Sequence, residues 1–407
     1  MTAAKLDKSL EKELADLKKE GRVKSDERVI QDYIPPAGNL GPRYKLVGSN
    51  KPFMRLNSNS YLSLSNHPEL IDAADKATHK FGVGPGAVRF IDGTFVQHRD
   101  LEQRIADFLG KPAAKIFNSA YTANCGLALS ISNKETHWIG DQLNHNSIIR
   151  AMRISNIPRE NKGIFKHNDM TDLERCLAEV GPDIKRVVVI FDGIFSMRGD
   201  HAPIDKIIAI CKSHDHKFSD GVITVVDDSH GMGAYGDTGR GTQEHCTAVP
   251  DIIVGTFGKA FGVNGGFIAG SKILVESIRQ KADTYIYTNP LSVADCAAAV
   301  KALDICDSQE GLALLHKLKQ RTAQFRQGLD SLGLESIPGP HPVVPLMVRD
   351  TDKTHGLVRY LYDHGVLVVG LTFPVVPKGD ETIRFQINAA HTREDIDLVL
   401  ALLKEFK

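Results

Sequence analysis

The sequence predicts an α/β fold: a large, mostly parallel-sheet domain followed by a smaller α+β C-terminal domain. Three observations carry that expectation. Short β-rich runs at 115–118, 137–140, 186–192, 222–227 and 252–255 alternate with helix-spaced stretches at 67–81, 97–109, 144–153, 172–180 and 203–213, the alternation of a parallel sheet and its crossover helices. The run Val187-Val188-Val189-Ile190-Phe191 is apolar without a break, as a strand covered on both faces is. After about residue 290 the texture changes to a long helical stretch (293–332), β-rich runs at 343–348, 366–371 and 382–387, and a closing helix at 393–406.

The chain opens with Leu6, Leu10, Leu14 and Leu17 at helical spacing among many charges. So narrow an apolar stripe must dock, either on the chain's own body or on a second subunit. Residues 34–52 are rich in Pro, Gly and Asn and read as a crossing segment. The expected organisation is an N-terminal helical arm and crossing segment (1–52), a large domain (53–290) and a small C-terminal domain (291–407). His67-Pro68 gives the first large-domain helix a proline start.

The 407 residues suffice for more than one domain. Fifty basic residues balance fifty acidic ones, which argues against nucleic acid or an anionic membrane as the main partner. Six scattered cysteines without a C-x-x-C pair fit a reducing compartment and no structural zinc. No apolar run reads as a signal peptide or a membrane span, so the cytoplasm is the expected location.

In an open α/β sheet the ligand site lies beyond the carboxyl ends of the strands, and the notable residues here sit at such ends. After the run ending in Asn118 come Ser119, Ala120, Tyr121, Thr122, Ala123 and Asn124, a strand-to-helix turn whose backbone N–H groups could hold a phosphate. His145 follows the strand near 140 and could stack on a ring or serve as acid or base; taken alone, a histidine is more often structural. Asp192 ends one apolar run and Asp227 another, with His230 three residues on. A carboxylate at a buried strand end calls for a partner, and a protonated pyridine nitrogen would be one. In 254–266, VGTFGKAFGVNGG, Lys259 stands among small residues just past a buried strand. Alone it reads as a solvated turn lysine or as an activated amine for Schiff-base chemistry. Pyridoxal phosphate uses all these parts at once: a lysine, an acid for the ring nitrogen and a phosphate cradle.

The series SNSYLSLSNHPEL, VRFIDGTFVQHRDLE, DQLNHNSII, DGIFSM, VDDSHGMGAYGDTGRG and GTFGKAFG resembles, in order and spacing, the α-oxoamine synthases. These are fold-type I pyridoxal phosphate (PLP) enzymes, of aspartate aminotransferase-like architecture, that condense an amino acid with an acyl-CoA. The resemblance runs from about residue 45 to the end. It implies that Lys259 holds the cofactor as a Schiff base and then acts as base on the amino acid's Cα proton. It pairs Asp227 with the ring nitrogen and His230 with the phenolic oxygen, stacks His145 over the ring and brings Ser196 to the cofactor. Ser119, backbone at Ala120 and Tyr121, Asn124 and Thr256 would form the phosphate region. Thr288 and Asn289 look like the segment that reaches across from the neighbouring subunit of a homodimer, and Arg384, aided by Asn59, would bind the substrate carboxylate. No metal is implied.

Within the family, Val88-Arg89-Phe90-Ile91, Asn168-Asp169-Met170, FPVVPKGDETIR and Gln386 followed by AAHT are most like glycine C-acetyltransferase. That likeness implies glycine and acetyl-CoA as substrates and 2-amino-3-oxobutanoate as product. Ser63, the short GVNGG tail after Lys259, Pro290 and Ser292-Val293 depart from the family pattern. They spare the cofactor set and touch the substrate walls, which favours an unusual acyl chain or amino acid. The other readings are an aminotransferase or aldolase on the same fold, or a protein of this fold without cofactor.

Overall fold

The structure is a computed structural model that describes residues 2–23 and 26–406. The chain divides into two compact units. The larger comprises Asn59–Gln320 and Pro338–Pro342; the smaller runs to Ser58 and takes up Arg321–Ile337 and the chain from Val343 onward. Residues 291–320, assigned on sequence to the small domain, thus belong to the larger unit, and the N-terminal arm belongs to the smaller one.

A seven-stranded sheet forms the larger unit. Its strands are β1 (Ala113–Phe117), β2 (Thr136–Asp141), β3 (Lys162–Phe165), β4 (Arg186–Asp192), β5 (Val222–Asp227), β6 (Ile252–Thr256) and β7 (Gly266–Gly270). They lie in the order β1-β7-β6-β5-β4-β2-β3. Only β7 runs against its neighbours, so the sheet is mostly parallel as expected. The strands read from unbroken apolar runs are buried along nearly their whole length, because helices cover both faces. Trp138, Val188, Ile190, Val225, Val254 and Ile268 form one core with Ala123, Leu127 and Ala128 of helix α1 (Ala120–Ile131) and Ile148, Ala151 and Met152 of helix α2 (Asn146–Ile154). The small residues of α1 let it lie close: a Cβ on Gly126 would come within 2.8 Å of the Phe117 ring.

The stretch expected as one helix over 293–332 is two, Val293–Cys306 and Gln309–Ser331. The break is a tight turn in which a Cβ on Gly311 would lie 2.2 Å from the Ile305 carbonyl oxygen.

In the smaller unit the segment expected as an irregular crossing, 34–52, contains strand Arg43–Leu46 and is bounded by strands Ile30–Ile34 and Pro52–Arg55, with Val366–Leu367 completing the sheet. Strand Ile30–Ile34 is largely exposed, so it lacks the alternating pattern that marks a half-buried strand. Arg43 pairs with the buried Asp395, which also accepts the Gly41 N–H at 3.0 Å, tying this segment to the closing helix Arg393–Glu405. A three-stranded sheet has Thr382–Gln386 between Val343–Met347 and Val369–Leu371. The N-terminal helix forms over Thr2–Lys19, with Leu6, Leu10 and Leu14 of its stripe exposed. Among the described residues no helix is long and apolar enough to cross a membrane.

Candidate active site

The carboxyl ends of the parallel strands bring the larger unit's candidate residues together. Asp192 and Asp227 are register partners at the ends of β4 and β5, and both are buried. Asp227 is held by two donors: the Asn124 side-chain amide at 2.6 Å and the Ser229 N–H at 3.1 Å. The same Asn124 nitrogen donates to the Ser147 hydroxyl at 3.0 Å, and that hydroxyl lies 2.8 Å from His145 Nδ1. Since the hydroxyl accepts from Asn124, its own proton goes to His145. The Ser147 N–H also points at Nδ1, at 3.2 Å. His145 Nδ1 is therefore an acceptor, and the neutral ring carries its proton on Nε2. Burial lowers the His145 pKa, the Lys259 charge lowers it further and Asp227 opposes both, so the ring is neutral at neutral pH.

Asn124, expected beside the phosphate, thus belongs to Asp227 instead. Its short amide reaches across from the second turn of α1 and orients the carboxylate. Sequence reading missed Ser147, which completes this relay, because a serine at a helix start reads as an ordinary cap.

His230 has Nδ1 2.7 Å from the Tyr61 hydroxyl, and its carbonyl accepts from His341 Nε2 at 2.9 Å. The Tyr61 hydroxyl also lies 3.5 Å from Asn59 Oδ1. Behind this group, Asp228 accepts from the Thr242 hydroxyl at 2.7 Å and the Thr242 N–H at 2.6 Å. Burial raises the Asp228 pKa to about 7, against the pull of the Thr242 bonds. Its carboxylate is the post around which the 228–242 loop folds.

Lys259, half-buried, lies in the turn between β6 and β7. Thr256 ends β6; its hydroxyl donates to the Gly265 carbonyl at 2.9 Å and accepts the Gly258 N–H at 3.1 Å. With its single proton committed there, Thr256 braces the lysine turn. Gly266 is required by close approach: a Cβ there would lie 2.2 Å from the Ala120 nitrogen. The lysine turn and the N-terminus of α1 are therefore packed backbone to backbone. At that terminus a capping box engages the N–H groups of Ser119 and Thr122, leaving those of Ala120 and Tyr121 for an anion.

Asn118 donates to Thr288 Oγ1 at 3.2 Å and to the Asn289 carbonyl at 2.8 Å, so both residues sit beside the α1 N-terminus of their own chain. His98, fully buried, donates from Nε2 to the Leu291 carbonyl at 2.9 Å and anchors that segment. Ser196, half-buried, lies on the loop after β4. His167 clamps this loop, with Nδ1 3.1 Å from Asp141 and Nε2 3.1 Å from Asp200. The two carboxylates outweigh burial and raise the His167 pKa to about 9. Arg384 lies in the smaller unit, on the middle strand of its three-stranded sheet.

A model of the family described as aminotransferase class I and II matches residues 51–403. The chain is 38% identical over 369 residues to an 8-amino-7-oxononanoate synthase of Thermoanaerobacter pseudethanolicus, covering 90% of this chain and 89% of that one. The chain belongs to the α-oxoamine synthases. Another relative, the 8-amino-7-oxononanoate synthase 1 of Bacillus subtilis, is 34% identical over 396 residues, 97% of each chain. Among solved structures, a serine palmitoyltransferase from S. paucimobilis with bound PLP-myriocin aldimine superposes with a TM-score of 0.85 at 27% identity, covering 97% of this chain and 96% of that one. The fold is that of a fold-type I PLP transferase, and PLP is the cofactor.

The expected likeness to glycine C-acetyltransferase is not what these relatives show. It rested on strings of a few residues, whereas identity over 369 residues weighs the whole chain. The residues present fit PLP. Asn124 and Ser229 both donate to Asp227 and each keeps a buried oxygen without a hydrogen-bond partner, and the α1 capping box leaves the N–H groups of Ala120 and Tyr121 for an anion.

Proposed function

We propose that this α-oxoamine synthase joins the Cα of alanine to an acyl-CoA whose chain ends in a carboxylate. The support is the name its curated relatives carry: in 8-amino-7-oxononanoate an amine-bearing carbon stands next to a ketone, with a carboxylate at the far end. Acylating the Cα of alanine and losing its carboxyl group as carbon dioxide yields that skeleton. The reaction itself rests on one observation: Asp227, Asn124, Ser147 and His145 form a continuous hydrogen-bonded relay close enough to Lys259 for its charge to act on His145.

Bound PLP supplies an electron sink for charge developing at Cα. Lys259 would hold the cofactor and would take the proton from the Cα of the substrate. Asp227 keeps the ring nitrogen protonated, and Asn124 and Ser229 keep the carboxylate aimed. His145 would stack on the ring as a neutral imidazole, His230 would hold the phenolic oxygen and Ser196 would contact the cofactor. The N–H groups of Ala120 and Tyr121 take the phosphate, with Ser119 and Thr256 shaping that turn. Arg384 would bind the substrate carboxylate. Cα then attacks the thioester carbonyl, the C–S bond breaks and CoA leaves as the thiol. The exposed Leu6-Leu10-Leu14 stripe supports a homodimer, in which Thr288 and Asn289, held by Asn118 of their own chain, would also reach the partner's site.

A second reading, glycine with acetyl-CoA, is favoured by the strings 88–91 and 373–384. Thiol release from cofactor-loaded protein tests both, with glycine, alanine, serine and threonine each paired with acetyl-CoA, a long-chain acyl-CoA and a carboxyl-ended acyl-CoA. Fastest release with alanine and the carboxyl-ended thioester, with carbon dioxide, is expected. Fastest release with glycine and acetyl-CoA establishes the second reading, and no release from any pair contradicts both.

A further inference from the structure

The site holds an acid that the proposed chemistry does not use. Asp192 stands beside Asp227 in register on the adjacent parallel strand, so the two side chains leave the sheet on the same face. Both are buried, and two neighbouring buried carboxylates do not both ionise without a cation between them. The donors are unequal. Asp227 receives a side-chain amide and a backbone N–H, while the Asp192 carboxyl receives one bond, the His145 N–H to Oδ2 at 2.7 Å. Asn144 secures the same junction from the other side: its Oδ1 accepts the Asp192 N–H at 3.0 Å, and its Nδ2 donates to the Ile190 carbonyl at 2.9 Å.

We infer that Asp192 and Asp227 carry one negative charge between them, that it resides on Asp227, and that Asp192 is a neutral carboxylic acid positioning His145 through its backbone N–H. The inference rests on the PLP reading of the site but does not depend on which substrates it takes. Four groups set the balance at Asp192. Asp227 on β5 and Asp141 on β2 oppose its ionisation; the His145 N–H at the start of α2 and Lys259 in the β6–β7 turn favour it. Burial outweighs them, and the Asp192 pKa lies well above the usual carboxylate range. A neutral Asp192 leaves Asp227 alone to face the ring nitrogen.

The test is the infrared spectrum of the holoenzyme labelled with carboxyl-13C aspartate, at about pH 8, where Asp228 with its pKa of about 7 is mostly ionised. A protonated aspartate band is expected in the wild type and is expected to vanish in Asp192→Asn with no loss of carboxylate intensity. Asp192→Asn keeps an acceptor for the His145 N–H, so kcat/KM is expected to fall only about threefold to tenfold, whereas Asp192→Ala, without the acceptor, is expected to fall further through kcat. Loss of carboxylate intensity in Asp192→Asn would overturn the inference. So would a wild type with no protonated aspartate at that pH, a reading that needs no variant to fold. Protein that binds PLP and shows the protonated band yet releases no thiol from any substrate pair would leave the charge assignment standing while the substrate reading fails.

Discussion

At the scale of single residues, the site separates groups that face the cofactor from groups that hold them. Asp227 is proposed to be of the first kind, acting as the anion that faces the ring nitrogen. Asp227→Asn preserves size and one acceptor oxygen but removes the anion, so turnover is expected to fall at least about a hundredfold with little change in melting temperature. Steady-state kinetics beside a thermal melt checks this, and a loss of less than tenfold would move the ring-nitrogen role elsewhere. The proposed facing residues stand out in the sequence, because packing alone does not call for an acid ending an apolar run, a histidine three positions on and a lysine among glycines in one chain. The holding residues were not legible. Asn124, Ser147 and Asp192 lie on three different elements, and only the fold shows that the Asn124 amide meets Asp227 rather than a phosphate.

At the scale of elements, the lysine turn and the α1 N-terminus form one unit because Gly266 lets their backbones touch. Gly266→Ala places a methyl 2.2 Å from the Ala120 nitrogen. It is expected to cost about 2 kcal/mol of stability and to weaken cofactor binding along with it; a variant that melts and loads as the wild type does would contradict this packing. His167 makes a pH-dependent contribution. Its pKa of about 9 exceeds the unfolded value of about 6.5, so the folded state binds the extra proton. The stabilisation is fully present below about pH 6.5 and is lost as pH rises through about 9. His167→Gln is therefore expected to melt lower than the wild type at pH 6, with the gap closing toward pH 10; a gap constant over that range would show that the clamp's worth lies in packing rather than charge. The central strands were readable because their unbroken apolar runs match burial on both faces. Strand β7 was not, since its five residues follow the glycine-rich turn and read as the turn's tail. The exposed strand Ile30–Ile34 carries no periodic signal at all.

At the scale of the whole molecule, the family and cofactor follow from the chain as a whole, and the substrate pair does not. The shared motifs record what every α-oxoamine synthase needs; the finer likeness to glycine C-acetyltransferase rested on a few short strings (88–91, 168–170, 373–384), while relatives aligned over nine-tenths of the chain are 8-amino-7-oxononanoate synthases. The proposed dimer has its own test. Mixing Lys259→Ala protein with a Thr288→Ala, Asn289→Ala double variant is expected to restore about a quarter of wild-type activity if each site draws on both subunits, since half the dimers then carry one intact site. No recovery, in mixtures shown by mass to contain hybrids, would place each site within a single chain.

The proposed catalysis turns on Lys259 moving a proton at the amino acid Cα. Proton NMR of alanine in D2O with cofactor-loaded enzyme, and no acyl-CoA, reads that step directly. The α-proton is expected to exchange with solvent in the wild type and to exchange at least about a thousandfold more slowly in Lys259→Ala with its cofactor still bound. Exchange that persists in Lys259→Ala, or a wild type that exchanges the α-proton of no amino acid, would contradict it.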